Sequence, residues 1–418
     1  ATAHARWEIN ITNTILHDRK RLLLLALLTV PIVVGIFASY VYADEIGNML
    51  PDMLGGEKAY TPVQYSVGIF VGSIVIGLLA GLITGCIGAG GGFIIAPALM
   101  SMGVKGIMAV GTDLFHIFAK AIMGSVIHRK LGNVAVRVAV VFVIGSVIGA
   151  TAGGTINRAL YEKDPVLSDT FITTVYAVML GFLGVYALID FLKSRKKGGG
   201  TAHGGNAEAE ELGKIPKKLQ SVNIPPMIMF DKNIALGGRR ISWVFLVLSG
   251  ALVGLAAGIM GVGGGFLTFP IFVYTLGVSA TTTVGTDIFQ IIFTAGYAAI
   301  TQYAIYGFIF FTLAIGMLLG SLVGVQIGAL VTRVVPGTHI RGFYAMAVLA
   351  GFANRAFALP GKLGEMGVIP ISASVGNVLE TIGIWLFFVV IGGFGIWVIG
   401  TFLRNIKTLR GLEVTVDR

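Results

Sequence analysis

Apolar stretches of roughly 20 residues, the length an α-helix needs to cross a ~30 Å hydrocarbon core, recur along this chain from Leu22 to Leu403. In such a layer no water is available to the backbone, so each stretch must satisfy its own N–H and C=O groups as a helix. Only 12% of the 418 residues are charged and 55% are hydrophobic, against about 25% charged in a soluble chain. The sequence therefore reads as an all-α polytopic membrane protein and not as a soluble enzyme with one anchor. The net charge of +10 belongs mostly to loops beside the membrane and carries no nucleic-acid reading. With Cys86 as the single cysteine, no intramolecular disulfide is possible.

Arg19, Lys20 and Arg21 precede the apolar run Leu22–Tyr42. The run is long enough to span, so it reads as a first transmembrane helix with a cytoplasmic N-terminus and not as a cleaved secretory signal. Further on, the chain repeats itself. Gly77–Pro97 and Gly250–Pro270 share 11 identities in 21 positions, all of them Gly, Leu, Phe or Pro. Gly103–Phe115 and Gly277–Phe289 share 7 in 13, including "VGTD". Two related halves result, joined by the polar, glycine-rich stretch Lys193–Arg240. Within that linker the apolar patch Ile224–Phe230 is suited to the membrane face or to a partner.

Loop charge orients the halves. The linker holds ten Lys and Arg against four acids and is expected inside, whereas Asp44–Val63 holds four acids and one Lys and is expected outside. Five segments fit between them: Ser66–Thr84, a short Gly91–Met102, Gly106–Ile127, Val134–Gly154 and Phe171–Leu192. The second half starts inside at Arg239 and Arg240 and runs through the same five, which makes the two repeats inverted in topology. A last helix, Val378–Leu403, returns the chain to a cytoplasmic tail, so both termini are expected in the cytoplasm of a cell whose inner membrane holds the protein. The expected divisions are 1–63 (N-terminal helix and external loop), 64–192 (first repeat), 193–240 (basic linker), 241–359 (second repeat) and 360–418 (extra C-terminal helix and tail).

Inverted halves with interrupted helices near mid-membrane are the plan of many secondary transporters. The strings "GAGGG" (Gly88–Gly92) and "GVGGG" (Gly261–Gly265) read as such helix breaks. Each precedes a short apolar helix whose first N–H groups and dipole favour an anion. Gly90, Gly91, Gly92, Gly263, Gly264 and Gly265 are the candidate cradle, since a side chain there would block close approach. The ladders Gly77, Gly81, Gly85 and Gly316, Gly320, Gly324, Gly328 read instead as tight helix packing. Neither triple-glycine string is a phosphate loop or a dinucleotide fingerprint.

Asp113 and Asp287 each follow Gly-Thr near the start of an apolar helix. An ionisable group inside a membrane is usually functional, although an Asp near a helix start also serves as a cap. Thr112 and Thr286 carry hydroxyls suited to a substrate oxygen. The halves then diverge: His116 and Lys120 follow Asp113 on one helical face, where Gln290 and Thr294 follow Asp287. His116 is a candidate proton carrier. Lys120 either snorkels to the cytoplasmic surface or pairs with Asp113. Cys86 reads as a small apolar filler.

The duplicated "GLITGCIGAGGGF…P" and "GLAAGIMGVGGGF…P", each followed by "VGTD", resemble the TauE/SafE (TSUP) family of sulfite exporters over roughly 77–154 and 250–328. The resemblance implies export of sulfite, a sulfonate or a related small anion, coupled to the proton gradient. It does not account for the extra N-terminal helix, the long basic linker or the last helix.

The expected function is a secondary transporter of a small sulfur-containing or organic anion. The paired glycine turns and Gln290 would bind it, and Asp113, Asp287, His116 and Lys120 would couple or gate. The alternative is a passive anion channel. No cofactor or metal is implied, and the absence of HExxH, Ser/His/Asp or cysteine-ligand patterns argues against an enzyme.

Overall fold

The computed structural model describes residues 67–87, 91–130, 134–196, 214–231, 238–332, 334–335 and 337–406. The helix expected at Leu22–Tyr42 and position Gly90 lie outside these residues. Helices follow in the order α1 (Val67–Ile87), α2 (Gly92–Ser101), α3 (Gly106–Lys130), α4 (Val136–Lys163), α5 (Pro165–Lys196) and α6 (Lys214–Ser221). A short hairpin, β1 (Met227–Phe230) with β2 (Arg239–Ser242), leads directly into α7 (Trp243–Met260). Then come α8 (Gly265–Pro270), widening into π-type turns over Ile271–Leu276, and α9 (Ala280–Tyr297), widening likewise over Ala298–Tyr303. The last three helices are α10 (Phe311–Val331), α11 (Gly337–Glu365) and α12 (Ala373–Arg404). Among the described residues eight helices are long and apolar enough to cross a membrane, and the chain is a multi-pass membrane protein.

Local chemistry explains several boundaries. Ser242, Ser279 and Ser372 start α7, α9 and α12, their side chains accepting from Val244 N, Thr282 N and Val375 N. Pro270 has no N–H to give to the preceding turn, and the regular helix widens right after it. Helices α4 and α5 run longer than their apolar cores, to Lys163 and from Pro165. Hydropathy marks only the hydrocarbon crossing, whereas backbone hydrogen bonding continues beyond it. The extra turns carry Asn157, Arg158 and Asp169.

Each half is held by its neighbour. Helix α1 lies against α10, and α7 against α4, so the first helix of one half packs on the fourth of the other. A Cβ placed on Gly81 would stand 2.7 Å from Ser321 O, on Gly320 2.0 Å from Ile74 O, on Gly149 2.0 Å from Ala251 O and on Gly254 2.1 Å from Ser146 O. These backbones touch, as the glycine ladders lead one to expect. Helix α5 packs on α11, and α12 closes against α11. The β1–β2 hairpin is seated by Phe230 and Ile241, which join Phe142, Leu246, Val253, Phe272, Leu276 and Val278 in one apolar cluster.

Gly149→Val or Gly254→Val should therefore abolish monodisperse folded protein in detergent, because a backbone and not a flexible side chain must yield. Gly392→Ala and Gly400→Ala on α12, where a Cβ meets nothing within 4 Å, should leave the thermal midpoint within ~2 °C of wild type, consistent with surface changes within about 0.5 kcal/mol. Thermal unfolding followed by size-exclusion chromatography checks both.

Candidate functional site

The second break is fully described. Helix α7 ends at Met260, and Gly261, Gly263 and Gly264 adopt φ of +80°, +63° and +86° before α8 begins. L-residues with a side chain seldom occupy that region, and space is lacking as well. A Cβ on Gly261 would lie 2.6 Å from Val110 O, and one on Gly263 would lie 2.7 Å from Ile117 Cγ2. Both neighbours belong to α3, so this turn sits on the first half's helix. At the first break the reason for glycine differs. Gly91 has φ −72°, and a Cβ there would meet Ala80 O at 2.6 Å and Thr84 Oγ1 at 2.9 Å. One on Gly92 would meet Ile117 Cδ1 at 2.8 Å and Val262 Cα at 3.2 Å. Ile117 thus lies against Gly92 after the first break and against Gly263 in the second.

Around the first break the polar groups interlock. Thr84 Oγ1 accepts from Gly91 N (2.9 Å) and from Lys120 Nζ (3.2 Å), and donates to Ala80 O (2.8 Å). The Lys120 ammonium is thereby held at the break. Asp113 and His116 are fully buried on α3, with Asp113 Oδ1 3.7 Å from His116 Nδ1. Among the described residues neither carboxylate oxygen of Asp113, nor His116 Nδ1, has a hydrogen-bond partner. His116 Nε2 lies 2.8 Å from Ser321 Oγ, which itself donates to Gly77 O (3.1 Å). A hydroxyl has one proton to give. The imidazole Nε2 therefore donates to Ser321, and Nδ1 is the nitrogen left facing Asp113.

The corresponding groups of the second half are paired with one another. Gln290 Nε2 donates to Asp287 Oδ1 (2.9 Å), Thr294 Oγ1 donates to Gln290 Oε1 (2.7 Å), and Ser146 Oγ meets Thr294 Oγ1 at 2.6 Å. Asp287 Oδ2 stands 3.1 Å from where a Cβ of Gly265 would be, so the carboxylate lies beside the break. Asp287 does not cap its helix; Ser279 does. Thr112 and Thr286 face elsewhere. Thr112 Oγ1 accepts from Phe310 N (2.9 Å) and Thr286 Oγ1 from Ala135 N (3.0 Å). Each hydroxyl takes the N–H at the start of a helix in the opposite half, an aligned and reciprocal pair of contacts. Cys86 is buried, with its Sγ 3.4 Å from Gly328 O.

Several polar residues inside apolar spans escaped the sequence reading. Asn157 Nδ2 donates to Ile259 O (2.9 Å) and Gly258 O (3.3 Å), Tyr303 Oη also donates to Gly258 O, and Tyr176 Oη donates to Met260 O. Together they take the last carbonyls of α7, which the break leaves without intrahelical partners. Arg355, 1% exposed, donates from Nε to Asn354 Oδ1 (2.6 Å) and from Nη2 to Ser101 Oγ (3.0 Å) and Pro97 O (3.4 Å) at the end of α2. An arginine or asparagine in a spanning helix is itself a signal, but these have no counterpart in the other half and so fall outside a repeat-based search. Among the described residues no group of three or more His, Cys, Asp or Glu stands close enough to hold a metal.

A family model described as "Sulfite exporter TauE/SafE" matches residues 73–354. "Probable membrane transporter protein YjnA" of Bacillus subtilis is 24% identical over 62% of this chain and 89% of its own length. A "Probable membrane transporter protein" of Xylella fastidiosa is 23% identical over 63% and 85%. "Probable membrane transporter protein YunE" of Bacillus subtilis is 31% identical, over 31% of this chain and about half (48%) of its own length. No solved structure matches. The family match takes in both breaks, both Gly-Thr-Asp triplets and every helix from α2 to α10, and the chain belongs to the sulfite exporter TauE/SafE family.

Proposed function

We propose that this protein is a secondary transporter that exports sulfite or a related small anion by alternating access around the two glycine breaks. The observation that carries the reading is the approach of the two breaks to Ile117, with a partly buried lysine, Lys120, bonded to the hydroxyl that holds Gly91 N. Unwound backbone is tolerated at membrane depth only where protein, water or ligand satisfies it. Two helix starts near an ammonium suit an anion.

Helix lengths support a break within the membrane. Helix α7 rises at most ~27 Å over its 18 residues, and the return from Gly265 to Leu276 at most ~18 Å, at ~1.5 Å per residue. Arg239, four residues before α7, donates to Gly277 O at the far end of that return (2.8 Å). The return from Gly265 thus comes back toward the side from which the chain enters α7, and neither limb reaches the ~30 Å of a full crossing. In this reading the repeats are inverted, the linker lies in the cytoplasm, and the halves rock about the paired turns of the inner-membrane protein.

Asp113 and Asp287 are the coupling or gating groups of the proposal, and the asymmetry between them divides the labour. Asp113 with His116 offers two titratable groups whose facing atoms lack other partners among the described residues, which suits the holding and release of a proton. Asp287 is already tied to Gln290, Thr294 and Ser146. It acts in this reading as the gate beside α8, and Gln290 completes the anion's polar surroundings. Thr112 and Thr286 keep the halves in register.

Counterflow of labelled sulfite into proteoliposomes preloaded with unlabelled sulfite tests the proposal. Transient accumulation, increased by an imposed pH gradient, is expected; simple equilibration would identify a passive channel instead. His116→Gln, which gives the first half the second half's residue, should lower gradient-driven accumulation about tenfold, roughly a 1.4 kcal/mol change, while leaving counterflow intact. Unaltered gradient response in both Asp113→Asn and His116→Gln would remove them from coupling. Gly91→Ala, which crowds Thr84, should weaken sulfite binding at least tenfold in protein that still elutes as a folded species. Unchanged affinity there would sink the cradle.

A further inference from the structure

Each half has a joint between its short break helix and the helix that bears its aspartate. In the first half this is Met102–Lys105, in the second Gly277–Ser279. The two turn at aligned glycines, Gly103 (φ +87°) and Gly277 (φ +76°). The first joint is held by the half's own helix: Asp169 Oδ1 of α5 accepts from Gly106 N (2.8 Å), and Asp169 Oδ2 faces Lys362 Nζ (3.5 Å). The second joint has no such helix partner among the described hydrogen bonds. Its contacts come from the linker.

Asp231, directly after β1, accepts from Ser279 N (2.8 Å), Ser279 Oγ (2.9 Å) and Thr282 Oγ1 (2.5 Å). Arg239 of β2 donates to Gly277 O (2.8 Å) and stands 3.8 Å from Asp231 Oδ2. Gln220 of α6 donates to Leu276 O (2.8 Å). Three segments of one linker thus bind four consecutive positions save one, taking carbonyls on the near side of the joint and an N–H on the far side. Asp231 is 7% exposed and has φ +52°, the one non-glycine residue with positive φ among those described. Strained backbone persists where its surroundings determine it, and here the carboxylate has three donors while Phe230 beside it is buried in the apolar cluster.

We infer that Asp231 and Arg239 are positioning residues: with Gln220 they make α6 and the β1–β2 pair a clamp that sets where Asp287 and Gln290 stand relative to the second break, the task Asp169 performs in the first half. The clamp's geometry is independent of the transport reading; what its release would do to substrate movement rests on that reading. A joint held by a linker and not by a packed transmembrane helix can be released without unpacking the bundle. The two halves are therefore restrained unequally.

Amide hydrogen exchange of the full chain in lipid nanodiscs tests this. Asp231→Asn, of equal size, should speed exchange at residues 280–287 at least fivefold and leave 107–113 unchanged, and Asp169→Asn should do the reverse. Arg239→Lys, which keeps a charged donor, should preserve the protection that Arg239→Gln loses. In sulfite counterflow Asp231→Asn should cut turnover at least fivefold with KM within twofold, and Arg239→Lys should stay near wild type. Wild-type exchange at 280–287 in Asp231→Asn, or acceleration spread over all helices, overturns the clamp. Should wild type carry no sulfite while the exchange pattern appears, the transport reading falls and the clamp stands.

Discussion

A buried peptide carbonyl with no partner costs several kcal/mol, and every helix end leaves four. Much of the polar architecture answers that one constraint. The ends of α7 at Gly258, Ile259 and Met260 are met by Asn157, Tyr303 and Tyr176, each from a different element. On α2, Arg355 and Asn354 bond the Ser101 hydroxyl, and Arg355 also reaches Pro97 O. The partners of α7's last carbonyls come from α4, α5 and the end of the α9 helix, so the second break is completed by the surrounding bundle.

The glycine ladders serve the same end. Helices that approach until backbone meets backbone exclude lipid and bring short polar side chains such as Ser146 and Ser321 within reach of α9 and α3. Those two serines occupy aligned places, and each meets the residue that distinguishes its half: Ser321 meets His116, and Ser146 meets Thr294. One scaffold thereby carries two arrangements, an Asp–His pair whose facing atoms have no other partner among the described residues and an aspartate closed into a network with Gln290, Thr294 and Ser146. Reciprocal contacts from Thr112 to Phe310 N and from Thr286 to Ala135 N keep the scaffold itself symmetric while its contents differ.

The position of a polar residue in a spanning helix was easier to read than its partner. That Asp113, His116, Lys120 and Asp287 are unusual follows from their apolar surroundings in the sequence alone. Where each points does not. Lys120 could be drawn toward the surface or toward Asp113 by spacing, but the bond it makes is to Thr84, 36 residues away on another helix. Thr112 and Thr286 look like substrate ligands by their place before the aspartates; their hydroxyls instead take the N–H at a helix start of the other half. Arg355 and Asn157 needed no repeat to be conspicuous, only a search for any polar residue within a span.

What the sequence determined by itself was the class and the duplication. Hydrophobic runs of membrane-crossing length leave the backbone no choice but helix, and two copies of a glycine-rich string ahead of "VGTD" mark two related halves. Local chemistry also settled where glycine is indispensable. Only the tertiary structure decided which half supports which. The pairing of α1 with α10 and of α7 with α4, the approach of the two breaks to Ile117 and the linker's grip on the joint at Gly277 all join residues far apart in the chain. Such contacts depend on the angle and depth at which helices pack, and a periodic apolar pattern, alike on every spanning helix, holds no record of its neighbour.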